Sequence, residues 1–198
     1  MQPKKALGYR IIRSAYGEIG LVWSSDHGAM QIKDIVLPRF GKTMRGMITE
    51  TWPQAKAFRG ADVPELASKI DAYLAGKRIS FRLDDLNGWD TPDGKETIKG
   101  FRSKVMLATF QIPRGKVETY GSLAGKSGYP GAARAVGTVM ARNPFPLVIP
   151  CHRVIRSDRQ IGNYGGGKSM KQGLLQMEGV DFDATGRVME CCLFEEKD

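Results

Sequence analysis

Histidine and cysteine are scarce in this chain, with two of the former and three of the latter in 198 residues. A structural zinc site needs about four Cys and His ligands at suitable spacing, and these five residues, mostly far apart, do not supply it. Three cysteines make no disulfide framework, and Cys191 and Cys192 are adjacent, a poor geometry for a bridge. The expected compartment is therefore reducing and intracellular. No apolar run approaches the ~20 residues that span a bilayer, so no membrane partner is expected. The segment Met1-Gln2-Pro3-Lys4-Lys5-Ala6 lacks the apolar core and cleavage site of a secretory signal. The expected location is the cytoplasm, or the nucleus in a eukaryote. Acidic residues are scarce in one place only: residues 101–175 hold 12 Lys and Arg against 2 Asp and Glu, the remainder 18 against 19. The net charge of +9 thus belongs wholly to one segment. A merely solvated basic surface has no reason to concentrate in this way, and the confinement points to a nucleic-acid face.

What is present is ordinary globular composition, 41% hydrophobic and 26% charged, in a length that suits one large domain or two small ones. Tyr9–Ile12 and Ile19–Ser24 predict two strands joined by the turn-like Tyr16-Gly17-Glu18, and Met30–Leu37 predicts a third that Pro38 halts. Pro64–Gly76 has helical spacing, with proline at its start and glycine at its end. Ile79–Leu83 predicts a further strand. Asn87-Gly88 and Pro92-Asp93-Gly94 are turn signals, and a domain boundary is placed there. From Gly100 the pattern turns helical: Phe101, Val105, Met106, Leu107 and Ala108 are apolar, and Pro113-Arg114-Gly115 stops the run. Thr119 suits the N-cap of a short helix ending near Gly125 or Gly128. Gly131–Arg142 predicts a second helix rich in small residues, and the pair is a helix-turn-helix candidate. Ser169–Glu178 predicts a final helix with Met170, Leu174, Leu175 and Met177 apolar.

The most informative stretch is Val148-Ile149-Pro150-Cys151-His152-Arg153-Val154-Ile155. A cysteine in an apolar run is ordinarily buried and inert. Here His and Arg follow in succession, which a buried strand interior would not welcome, so the run is expected to end at an exposed or polar site. The thiolate is the nucleophilic form of cysteine, and a neighbouring histidine can help to generate it. A phosphatase loop needs arginine six positions after its cysteine; Ser157 stands there and Arg156 is one residue early. A thiol protease needs a histidine brought from elsewhere, and His27 belongs to the other predicted domain.

Gly162-Asn163-Tyr164-Gly165-Gly166-Gly167-Lys168-Ser169 matches the phosphate-binding Walker A pattern letter for letter. Its context argues against that reading. The preceding Arg156–Ile161 is too polar for a buried parallel strand, and 29 residues after Ser169 are too few for the rest of such a fold. A flexible glycine loop leading into a helix is the plainer reading. Arg134 is the one long side chain among the alanines and glycines of the second helix. That suits either a solvated position or a projection from a helix lying close to DNA. On composition alone Glu178 reads as a surface residue.

Five blocks in this order carry a resemblance: Ala132–Gly137, Asn143-Pro144, Ile149–Val154, Gly162-Asn163-Tyr164, and Leu174–Gly179. Over roughly residues 100–180 the chain resembles the O6-alkylguanine-DNA alkyltransferases, the methylated-DNA–protein-cysteine methyltransferases of direct damage reversal. The resemblance implies an α+β chain: an amino-terminal α/β (ribonuclease H-like) domain over 1–95, and a mainly helical domain over 96–185 with a winged-helix-like helix-turn-helix. Residues 186–198 are left as a carboxy-terminal tail. It further implies a flipped O6-alkylguanine, or less efficiently O4-alkylthymine, that passes its alkyl group to Cys151 once and irreversibly. By matching position His152 would deprotonate Cys151 through a water, Glu178 would orient His152, Asn143 would shape the turn, and Tyr120 would assist the departing guanine. Arg134, with Ala133, Gly137 and Tyr120, would contact DNA from the minor groove. Tyr164, Met140, Val154 and Gly165 would line the pocket. No cofactor and no metal are implied, and the expected state is a monomer on double-stranded DNA. Gly165, Arg156 and Arg159 depart from the family's usual residues. Two alternatives are a damage sensor without transfer, which in such proteins lacks the cysteine, and a helix-turn-helix regulator that senses alkylation.

Overall fold

Three runs rich in β-branched and aromatic residues pair into an antiparallel sheet in the computed structural model, which describes residues 6–26, 29–58, 60, 63–86 and 100–194. They are β1 (Ala6–Ser14), β2 (Gly17–Asp26) and β3 (Ala29–Val36), and the short β4 (Lys56–Ala57) joins the free edge of β1 in parallel. The order is β3-β2-β1-β4. Ile19, Leu21, Val22 and Trp23 of the central β2 are all buried, so side chains on both of its faces are covered. A helix that the sequence reading did not assign, α1 (Met44–Thr51), packs on β2. Its signals were local: Thr43 caps it by accepting from the Gly46 N–H, and Met44, Met47 and Ile48 are buried at helical spacing. Gly20 permits the approach, since a Cβ there would stand 2.7 Å from Ile48 Cδ1 and 2.9 Å from Met44 Sδ. The second helix, α2 (Glu65–Leu74), buries Leu66, Ala67, Ile70, Tyr73 and Leu74.

The strand expected over Ile79–Leu83 does not form; Leu83–Leu86 is instead a 3-10 turn. Asp85 draws the chain round, accepting from the Arg82 N–H at 2.8 Å and from Lys69 Nζ at 2.6 Å, while Phe81 packs edge-on against Tyr73. The chain divides into two compact units, Met1–Asp90 and Thr91–Asp198. His27 and the turn signals Asn87-Gly88 and Pro92-Asp93-Gly94 lie outside the described residues.

In the second unit α3 (Phe101–Gln111), α4 (Tyr120–Lys126) and α5 (Ala133–Ala141) pack on one another. Thr119 caps α4 by accepting from the Ser122 N–H at 3.1 Å. Gly128 and Gly131 both take φ of 84° in the turn between α4 and α5, a conformation that favours glycine. Tyr129 in that turn is held by the Phe101 ring, 4.9 Å away edge-on, and by Lys104 at 5.4 Å. The strands β5 (Glu118–Thr119) and β6 (Val154–Ile155) pair in parallel, Glu118 beside Val154. Tyr120, the first residue of α4 after β5, comes near enough to Cys151 to feel its charge. The last helix is α6 (Lys168–Glu178).

The segment set apart as a tail from Gly186 packs into this unit through residue 194. Val188 and Cys192 are buried with Val117, Ile155, Ile161, Leu175 and Val180. Backbone bonds join Val188 N–H to the Arg159 carbonyl at 3.0 Å and Val117 N–H to the Cys192 carbonyl at 2.9 Å. Its few apolar residues gave no periodicity because its pairing is two isolated bridges, Val117 with Leu193 and Phe182 with Val188.

Candidate active site

The apolar run Phe145–Ile149 is buried and delivers the chain into a sharp turn at Pro150, whose φ of −80° and ψ of 63° bring the Cys151 N–H to the Ile149 carbonyl at 2.7 Å. Asn143 braces this approach from both ends. Its Oδ1 accepts from the Phe145 N–H at 3.0 Å, and its Nδ2 donates to the Ile149 carbonyl at 2.8 Å. Cys151–Arg153 then form one 3-10 turn, closed where the Val154 N–H donates to the Cys151 carbonyl. Cys151 keeps 7% exposure and His152 none.

His152 and Arg153 were expected at a polar or exposed end of the run, and Glu178 on the surface. All three are buried, because they satisfy one another. Arg153 Nε donates to Glu178 Oε2 at 2.8 Å, Arg153 Nη2 to Glu178 Oε1 at 2.6 Å, and Arg153 Nη1 to the Ile112 carbonyl at 2.6 Å. His152 Nε2 stands 3.2 Å from Glu178 Oε1. Burial alone would raise the Glu178 carboxyl; His152 and the Arg153 fork override it and hold the group well below the usual carboxylate range. Burial pushes His152 down, against the pull of Glu178, with Arg153 and Lys171 adding to the push. The imidazole is therefore neutral near pH 7.

Burial pushes the Cys151 thiol up, while the Asn143 hydrogen bond, the Lys171 charge and backbone N–H groups pull it down. Tyr120 is also raised, by burial first and then by Cys151, so its hydroxyl keeps its proton and can donate it. The Tyr164 ring stands edge-on to His152 with centroids 6.3 Å apart. The structure thus gathers Cys151, His152, Asn143, Tyr120, Tyr164 and Glu178 in one place. Met140 and Val154 are buried, Ala133 and Gly137 are half-buried on α5, and Arg134 and Gly165 are exposed.

Two members of the cluster were missed. Arg153 was seen only as a polar neighbour. Lys171 is fully buried, with its amine donating to the Val154 carbonyl at 2.5 Å, and burial lowers it to about 8 against the favourable influence of Cys151. The available signal was its place on the apolar stripe of α6, one helical turn before Leu174 and Leu175. The Walker-like glycines lead into α6 after Gly167, at φ 88°. No strand feeds them, since β6 ends at Ile155. Among the described residues no group of three His, Cys, Asp or Glu could hold a metal ion, and no helix is long and apolar enough to cross a membrane.

Fold and site together define a mixed α/β protein that sets a buried cysteine beside a pair of helices joined by a glycine turn. Residues 100–180 match the family model described as 6-O-methylguanine DNA methyltransferase, DNA binding domain. The methylated-DNA–protein-cysteine methyltransferase of Mycobacterium tuberculosis (strain ATCC 25618 / H37Rv) is 34% identical over 171 residues, 86% of this chain and 91% of that protein. The protein of the same name from Methanothermobacter thermautotrophicus is 38% identical over 121 residues, 61% of this chain and 64% of that one. A crystal structure of the Mycobacterium tuberculosis OGT in complex with DNA is similar with a TM-score of 0.64 and 32% identity, covering 87% of this chain and 92% of that one. The chain belongs to the methylated-DNA–protein-cysteine methyltransferase family.

Proposed function

We propose that this protein repairs DNA directly, taking the alkyl group from O6-alkylguanine, and less efficiently from O4-alkylthymine, onto Cys151 in a single irreversible transfer. The observation that carries the reading is the Cys151 turn, braced by Asn143 and backed by the buried His152–Glu178–Arg153 cluster, in a chain of this family. The damaged nucleotide is flipped out of the duplex. The Cys151 thiolate attacks the alkyl carbon, the carbon–oxygen bond breaks, and its electron pair stays on the guanine oxygen while Tyr120 donates a hydrogen bond or proton. His152 accepts the thiol proton through a water, held in orientation by Glu178. Tyr164, Met140, Val154 and Gly165 line the pocket. The thioether product is not a leaving group, so the protein is consumed and no cofactor is needed.

DNA is met by α5 in the minor groove, with Arg134 filling the space left by the flipped base and Ala133, Gly137 and Tyr120 alongside. A Cβ built at Gly137 would meet nothing within 4 Å, so the protein's own packing does not require glycine there; close approach of another molecule accounts for it. In this reading the first unit is ribonuclease H-like, the second winged-helix-like, and the protein works as a cytoplasmic monomer. A non-catalytic sensor is disfavoured by Cys151 itself. The test is a labelled O6-methylguanine duplex incubated with the wild type and Cys151→Ala. The label should move to wild type only, while both bind the duplex; label transferred to Cys151→Ala would overturn the proposal.

A further inference from the structure

Lys171 has no part in the mechanism above, yet no part of its side chain reaches water. Removing an ammonium from water costs several kcal/mol unless a counter-charge and hydrogen bonds offset it. One hydrogen bond is evident, to the Val154 carbonyl at 2.5 Å. Val154 is also the residue whose N–H closes the Cys151 turn, so the amine is anchored on the backbone that holds the thiol. A carbonyl is neutral, and the compensating charge has to come from elsewhere.

The titratable groups facing Cys151 and Lys171 leave few choices. From the turn itself come His152 and Arg153; from α6, Glu178; from the start of α4, Tyr120. Glu178 is committed to Arg153 by two bonds, at 2.8 and 2.6 Å. His152 is held neutral by its burial, and Tyr120 keeps its proton. The remaining group able to carry negative charge is the Cys151 thiol, and thiol and amine each favour the other's charged form.

We propose that the Lys171 ammonium is the counter-ion of the Cys151 thiolate, a positioning residue that sets how much of the thiol is held ready for transfer. The inference rests on Cys151 being the acceptor, and it gives His152 the narrower task of relaying the proton rather than balancing the charge. The Val154 carbonyl anchors the amine, and an Asn143 hydrogen bond favours the charged form of the thiol.

The test is the pH dependence of Cys151 alkylation by iodoacetamide, followed by peptide mass on the full chain, which needs no DNA. Lys171→Met should move the midpoint up by about one pH unit or more, Lys171→Arg should restore most of the shift, and transfer from an O6-methylguanine duplex at pH 7.5 should slow about tenfold in Lys171→Met. That rate should recover as pH rises through the new midpoint, which a merely misfolded variant would not do. Lys171→Gln keeps a donor for the Val154 carbonyl without the charge, and should shift the midpoint as Lys171→Met does. Midpoints unchanged in Lys171→Met and Lys171→Gln would overturn the proposal. Normal midpoint shifts with no transfer from DNA in the wild type would instead overturn the proposed function.

Discussion

Arg153 holds both oxygens of Glu178, Nε to Oε2 at 2.8 Å and Nη2 to Oε1 at 2.6 Å, and His152 Nε2 stands farther off, 3.2 Å from Oε1. The acid behind the histidine is thus first the partner of the arginine beside it. The buried fork fixes where the imidazole can turn, and it links α6 to the Cys151 turn.

Removing the arginine would leave a buried carboxylate with its main cation gone. Arg153→Met is expected to cost about 3–5 kcal/mol, read as a fall in the urea midpoint at unchanged slope. Arg156→Ala is the control. It breaks an ion pair of 2.9 Å to Asp158 whose side chains are 61% and 43% exposed, and should cost no more than about 1 kcal/mol.

Acid should weaken the protein in two stages. The unfolded chain protonates its histidines below about pH 6.5, while buried His152 resists protonation, so stability falls as pH drops from there. Glu178 is held low in the fold. Its contribution is complete above about pH 4.3, the ordinary carboxyl value, and is lost as pH falls below it. Melting temperature followed from pH 7.5 to 3.5 checks this, and His152→Gln should flatten the upper stage and, by removing one of the two groups that hold Glu178 low, reduce the lower one as well.

Arg159 sits at φ 63°, a left-handed conformation that strains any side chain. Its N–H bonds to the Arg156 carbonyl and its own carbonyl accepts from Val188, so the backbone is pinned in that shape. Arg159→Gly should keep these bonds and stabilise by about 1 kcal/mol, measured as a raised melting temperature. An Arg159→Ala variant should gain much less.

Val188 is fully buried against Ile155 and Leu175, in the segment that ties the Arg159 turn to Val117. Val188→Ala should cost about 1–3 kcal/mol by cavity formation. Deletion from residue 187 onward should cost considerably more. Calorimetry of the two variants decides whether the carboxy-terminal stretch is a structural strap.

What the sequence made legible was whatever repeats or punctuates locally. The alternation in β1 to β3, the Thr119 cap and the glycines around α5 each follow from the residue and its immediate neighbours. The Cys151 motif was legible because proline, cysteine, histidine and arginine stand in succession. The burial of His152, Arg153, Lys171 and Glu178 was not, because each alone belongs in water; only α6, folded back over 25 residues of chain, makes Glu178 a partner for Arg153. The Ile79–Leu83 run had strand composition, but among the described residues it pairs with no strand, which composition cannot reveal.

The central claim is that Cys151 accepts one alkyl group and is spent. Intact-mass measurement after incubation with excess O6-methylguanine duplex tests it most directly. The expected result is a gain of one methylene unit per protein molecule, located on Cys151, with no further gain on prolonged incubation and none in Cys151→Ala. Continued removal of methyl groups by an unmodified protein, or a modification on any other residue, would contradict it.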